Sequence, residues 1–159
     1  MAGGADSTAA YWQIYAIQKQ RHDDQDAVAT LMKIKSAAAP GSQDYLEASY
    51  RIGEMYQNMG RPDAALSAWE EMRGDKPVDN PFRLQALIDL AQAYEKAGNN
   101  AKAADVYDDL ALSAGKPLAQ QAAARAKALR KMANTPAASS SGDPGQGDGG
   151  SGGDAGARQ

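Results

Sequence analysis

The sequence predicts an all-α chain built as a stack of helix pairs, and three observations carry that expectation. Alanine is abundant, at 34 of 159 residues, while aromatics make up only 6%. Alanine is the best helix former, whereas strands favour branched and aromatic side chains. Apolar residues recur at helical spacing in segments separated by glycine and proline. The third observation is an internal period. Ile52, Gly53, Tyr56, Gly60, Ala65, Trp69 and Met72 are each followed, 38 positions later, by Leu90, Ala91, Tyr94, Gly98, Ala103, Tyr107 and Leu110. The same shift backwards meets a worn copy at Ile14, Tyr15, Gln18, His22, Ala27, Leu31 and Ile34.

Each repeat reads as two helices. The worn first copy predicts helices near Thr8–Arg21 and Asp24–Ala38, with Asp24 as N-cap of the second and Pro40-Gly41 as the stop. In the central copy, Leu46, Ser49, Tyr50, Ile52, Gly53 and Tyr56 share one face of a helix from Gln43 to Asn58. Gly60 suits the left-handed conformation that ends a helix, and Pro62 suits the first turn of the next. Ala65, Leu66, Ala68, Trp69 and Met72 form the stripe of that second helix, which stops at Gly74. The third copy predicts helices over Phe82–Ala97 and Ala101–Ala114, closed by Gly115-Lys116-Pro117. Small residues belong where paired helices approach most closely, so Gly53 and Ala91 are expected to face Ala65 and Ala103. A last helix, Leu118–Asn134, has no partner after it. Its Gln120, Gln121, Arg125, Lys127, Arg130 and Lys131 supply the polar outer face that the end of a stack requires.

Composition bounds the rest. Residues 1–7 hold no apolar pattern and are expected to lie outside the folded unit, which spans 8–134 as repeats near 8–40, 43–77 and 82–117 and a cap over 118–134. Residues 135–159 include half of the 16 glycines and no large aliphatic or aromatic side chain, so they read as a disordered tail with nothing to bury. No run approaches the roughly 20 apolar residues of a membrane span, and residues 1–10 lack the basic flank and apolar stretch of a signal peptide. Cysteine is absent and His22 is the single histidine, which removes thiolate chemistry and any site needing two imidazoles. A net charge of −3 and a pI near 5.1 argue against a nucleic-acid partner. His22, Asp23, Asp24 and Asp26 read as a solvated turn rather than a metal site, and Asp105, Asp108 and Asp109 as a solvated stripe. No catalytic constellation, metal site or cofactor motif stands out, so the chain is expected not to be an enzyme.

Ser49, Ile52, Gly53, Tyr56, Ala65, Trp69, Met72 and Pro77, with Leu87, Leu90, Ala91, Tyr94, Ala103, Tyr107 and Leu110, are similar in order and spacing to the tetratricopeptide repeat (TPR). The resemblance implies a right-handed TPR superhelix of three helix pairs plus a capping helix. The longer period and the connections Pro40-Gly41-Ser42 and Pro77-Val78-Asp79-Asn80-Pro81 resemble a bacterial cell-envelope subgroup, which includes a Tol–Pal-associated periplasmic protein and outer-membrane assembly lipoproteins. That likeness implies a periplasmic or membrane-anchored location, with a cytoplasmic adaptor as the alternative.

TPR proteins hold a peptide or partner helix in the concave face lined by first helices. By register, that face here carries Trp12, Glu47, Tyr50, Arg51, Glu54, Gln57, Gln85, Ile88, Asp89, Gln92 and Glu95, flanked by Gln13, Ala16, Lys19, Asn58 and Lys96. The family's lysine–asparagine clamp for a C-terminal carboxylate is absent, because Tyr50 and Glu54, Ile88 and Gln92, and Trp12 and Ala16 stand at its places. The implied role is a protein-interaction scaffold. A self-assembling subunit, stacking through Tyr11, Trp12 and Tyr15 of the first repeat, is the alternative. The helix-pair register has its own test: Ala65→Leu is expected to destabilise the fold by about 1–3 kcal/mol, and an unchanged thermal midpoint would refute it.

Overall fold

The computed structural model describes residues 3–134. Within them the chain forms α1 (Gly3–Arg21), α2 (Asp24–Ala37), α3 (Gln43–Asn58), α4 (Pro62–Glu71), a 3-10 turn (Met72–Gly74), α5 (Pro81–Lys96), α6 (Asn100–Ser113) and α7 (Leu118–Ala133). The described residues contain no strand. Successive helices pack as the pairs α1–α2, α3–α4 and α5–α6, with α7 laid against α6.

Most boundaries fall within a residue of those expected. The main difference is at the start, where α1 runs back to Gly3 rather than beginning at Thr8. No proline interrupts that segment, and Thr8 is itself buried, so the helix has an inner face before Tyr11. The expected tail lies outside the described residues, as do residues 1 and 2. The second helix of the central pair ends earlier than expected, tightening into the 3-10 turn that brings the chain to Gly74. Asp24 is also not the N-cap of α2. Asp23 holds that place without a side-chain bond, and Asp24 adds negative charge to the first turn, where the helix dipole favours it. Side-chain caps occur at Ser42, Asn80 and Asn99. Their oxygens accept from Tyr45 N at 3.3 Å, Phe82 N at 2.9 Å and Lys102 N at 3.3 Å.

The turn inside each pair is one backbone device used three times. His22 (φ 60), Gly60 (φ 69) and Gly98 (φ 74) are left-handed at the same register position. After each, an amide returns to a carbonyl of the preceding helix: Asp23 to Gln18 (3.0 Å), Arg61 to Tyr56 and Asn99 to Tyr94 (2.9 Å each). Glycine takes this conformation without a steric penalty, and a histidine does not.

At Gly53 the nearest side chain is that of Trp69, rather than Ala65 as the spacing suggested. A Cβ on Gly53 would lie 2.6 Å from Trp69 Cδ1 and Cε2, so the indole occupies the space that glycine leaves. Trp69 is only 1% exposed, and its Nε1 donates to the Tyr50 carbonyl at 3.3 Å. The other pairs carry compensating residues at the same two positions: Tyr15 with Leu31, and Ala91 with Tyr107. Size on the first helix is traded against size on the second.

Two apolar clusters result. One joins Tyr15, Ala27, Val28, Leu31 and Ile34 to Ile52 and Met55; the other runs from Leu46 and Trp69 through Leu87, Leu90 and Leu110 to Leu129 of α7. Tyr56 packs against both. The second helices are stitched to one another by ion pairs: Lys35 to Glu71 at 3.0 Å and Arg73 Nε to Asp109 at 2.7 Å. Arg130 of α7 adds bonds to Asp105 (3.2 Å) and Asp108. The aspartates of α6 are therefore partners of arginines rather than a free solvated stripe. Arg83 is buried and donates to the Arg73 carbonyl (2.6 Å), the Val78 carbonyl (2.8 Å) and Ser113 Oγ (2.9 Å), which fixes the connection into α5. Burial works against its charge and lowers its pKa.

Two substitutions probe these constraints. Gly53→Ala should cost about 1–3 kcal/mol, and Trp69→Tyr in the same chain should recover part of the loss by restoring the pairing of the third repeat. Additive losses in urea melts would contradict that coupling. His22→Gly should raise stability by about 1 kcal/mol, and a fall in the midpoint would show that the imidazole makes a compensating contact.

Candidate functional site

The first helices α1, α3 and α5 line one face, and the residues expected there gather around two clefts. The smaller, of about 480 Å³, lies between α1 and α3, where Trp12, Tyr15, Ala16 and Lys19 face Glu47 and Arg51. The larger, of about 740 Å³, lies between α4 and α5. Gln57, Asp89 and Gln92 are on its rim with Asp63 and Lys96, and Ala65, Leu66, Trp69, Ala93 and Ala97 form its apolar walls.

Most of the polar residues between the clefts are engaged with one another. Trp12 Nε1 donates to Asp44 at 2.9 Å, and its ring meets Tyr15 edge-on at 5.8 Å. Arg51 bonds Glu47 at 2.7 Å and reaches Glu54 at 3.8 Å. Tyr50 donates to Asp89 at 3.0 Å and leans on Phe82, while Gln85 donates to the other Asp89 oxygen at 3.0 Å. Burial, then the charges of Asp89 and Glu54, pushes the Tyr50 hydroxyl above its ordinary range. Burial opposes the charge on Arg51, but the Glu47 hydrogen bond and the Glu47 and Glu54 charges outweigh it, so its pKa is raised. Glu95 is bonded by Arg125 and Tyr107, which holds its carboxyl below the usual range. Ile88 is half-buried against the core. Gln57 and Gln92 are exposed on the rim of the larger cleft, and their side chains form no hydrogen bond among the described residues.

Sequence reasoning identified the polar rim but missed the apolar floor. Ala93 and Ala97 stand 38 positions after Met55 and Met59. Met55 is 3% exposed and Met59 packs against the cluster that holds it together with Ala27, Val28 and Leu31, so the corresponding space between α2 and α3 is filled. With alanines at those positions, the space between α4 and α5 stays open and Leu66 is only half-buried. That contrast is readable in the aligned repeats. The consequence needed the packing.

The turn at His22–Asp26 gathers no ligand set: among the described residues, no three histidine, aspartate or glutamate side chains converge as a metal site would require. The basic residues of the cap are partly engaged, since Arg125 pairs with Glu95 and Arg130 with Asp105 and Asp108. No helix among the described residues is long and apolar enough to cross a membrane.

With this geometry in hand, the fold can be set beside known proteins. A protein from Podosopora anserina, described as a kinesin light chain with nearly identical TPR-like repeats, has a crystal structure that superposes with a TM-score of 0.54. The match covers 82% of this chain and 70% of that one at 18% identity. The chain thus has the TPR-like helical-repeat fold. No family model matches the sequence, and no curated protein is significantly similar to it.

Two tyrosines give the stability of the stack a measurable pH dependence. Burial, then the hydrogen bond to a glutamate, pushes Tyr94 (on Glu70) and Tyr107 (on Glu95) up to about 12. A raised folded-state pKa means the stabilisation is complete below the ordinary value of 10.0 and is lost as pH rises towards about 12. Tyr94→Phe should therefore flatten the decline in stability between pH 10 and 12. An unaltered slope in urea titrations would refute the assignment.

Proposed function

We propose that this chain is a non-enzymatic protein-interaction scaffold that takes a peptide or partner helix along the face of its first helices, anchored in the cleft between α4 and α5. The observation that carries the reading is the 740 Å³ cleft itself, which has apolar walls and a polar rim that includes Gln57, Asp89 and Gln92 of the expected first-helix face. The hollow exists because two alanines replace two methionines of the preceding repeat, so it is specific to this junction. A built polar ladder beside it, from Arg51 and Glu54 through Tyr50 to Asp89, holds the rim in place without depending on a ligand. A bacterial cell-envelope complex is the setting we favour, supported by the connection lengths between pairs; a signal or lipidation segment encoded upstream would test it.

Filling the cleft tests the binding role. Peptides selected by display against the full chain should lose at least about tenfold in affinity for Ala93→Met/Ala97→Met, while the thermal midpoint stays equal or rises. Undiminished capture by that variant would sink the reading.

A self-assembling subunit is the second reading, and it rests on one observation. Ile14 and Ile17 are 43% and 49% exposed on α1, although Ile52 and Leu90 at the Ile14 register are buried. Light scattering across concentrations decides between them, because a strict monomer removes self-assembly.

A further inference from the structure

On the opposite side, the second helices carry another asymmetry between repeats, distinct from the first-helix face. Between α4 and α6 the surface is closed. Leu87 and Val106 fill it, Tyr94 donates to Glu70 at 2.7 Å, Arg73 bonds the same glutamate at 3.2 Å, and Lys102 lies 5.3 Å over the Tyr94 ring. The matching position between α2 and α4 is a cleft of about 380 Å³. Ser49 stands there for Leu87, Ala68 for Val106 and Met32 for Glu70. Both walls have shrunk, and Met32 is left 45% exposed at the edge.

The chemistry of the gap is as definite as its shape. Tyr56, the counterpart of Tyr94, lines the cleft, but its hydroxyl has no acceptor among the described residues. Arg61 sits 5.0 Å above its ring, without a carboxylate partner among those residues. Lys35 adds a second positive charge, shared with Glu71 at 3.0 Å. The closed junction therefore states what the open one lacks: one carboxylate to accept from the tyrosine, and one branched aliphatic side chain over the small residue.

We propose that the cleft between α2 and α4 is a second docking site, for a partner-protein segment that presents a carboxylate beside a branched aliphatic residue. The carboxylate takes the place of Glu70, accepting from Tyr56 and facing Arg61. The aliphatic residue takes the place of Val106, seated on Ala68 and Ser49. Charge complementarity favours an acidic segment, since Arg61 over the Tyr56 ring has no carboxylate partner among the described residues, whereas the Lys35 charge is already met by Glu71.

The test uses the full chain, labelled with nitrogen-15, and two synthetic peptides of about twelve residues: one built on Glu-Val pairs, the other on Gln-Val pairs. The Glu-Val peptide should shift the amides of Ser67 and Ala68 and bind about tenfold tighter than its Gln-Val twin, the scale of one hydrogen bond to a charged group. Met32→Glu, at a position 45% exposed on the cleft's edge, supplies the carboxylate internally and should cancel that preference while leaving the thermal midpoint equal or higher. Ala68→Val should weaken both peptides while leaving the midpoint equal or higher. Equal affinity of the two peptides overturns the proposal, as do shifts confined to first-helix residues such as Gln92. Concentration-dependent dimerisation abolished by Ala68→Val would place a second copy in the cleft and overturn it equally.

Discussion

The contact on which the central part of the molecule depends is the seating of the Trp69 indole against the bare backbone of Gly53. Two helices can come this close only where one of them gives up a side chain. The gain is a fully buried indole whose nitrogen still finds an acceptor in the Tyr50 carbonyl. An indole buried without that acceptor would carry a penalty on the order of 1–3 kcal/mol. The seating then propagates. With Trp69 turned towards α3, its outer edge becomes a wall of the cleft facing α5, and Leu66 one turn earlier is left half-covered. A packing solution inside one pair thus sets the shape of the surface between pairs.

The two junctions between pairs use this scaffold in opposite ways. On the first-helix side, the junction of repeats one and two is filled by Met55 and Met59, and the next is hollow at Ala93 and Ala97. On the second-helix side, the first junction is hollow at Ser49 and Ala68, and the next is filled by Leu87 and Val106. At these two registers, then, the filled and the hollow positions change places from one repeat boundary to the next, while the α1–α3 cleft lies outside this pattern. The polar groups follow the same division. Carboxylates and arginines satisfy one another where the surface is closed, and donors such as Tyr56 and Gln92 stand without protein partners where it is open.

The fold was legible because its determinants are local and repeated. Gly60 and Gly98 mark left-handed turns, and a 38-residue period needs no tertiary knowledge to detect. Even the worn first copy obeys it, since His22 adopts the glycine conformation against its own preference. What the sequence concealed was direction. Spacing places Gly53, Ala65 and Trp69 on facing stripes but does not say which side chain enters the slot, and the bulkier one did. The first-helix rim was also legible, since Gln57, Asp89 and Gln92 do border the larger cleft. The state of its residues was not. Register placed Trp12, Tyr50, Arg51 and Glu95 on the concave face without naming their partners, and they bond Asp44, Asp89, Glu47 and Arg125 across helices or one turn away. Such pairings depend on distances in space that no single-chain pattern encodes.

The ion pairs between second helices have a mechanical consequence. Lys35–Glu71, Arg73–Asp109 and Arg130 with Asp105 and Asp108 all bridge helices along the second-helix side of the stack. On the other side, apolar contact between α3 and α5 joins the central repeats. Dissolved salt screens exposed charges over a Debye length of about 8 Å at physiological strength but leaves apolar contact almost untouched. The second-helix side of the stack is therefore joined largely by contacts that respond to the medium, and the α3–α5 junction largely by contacts that do not. Ionic strength thus acts mainly on the second-helix side, and on the first-helix side the inter-helix ion pair it reaches is Glu95–Arg125, between α5 and the cap.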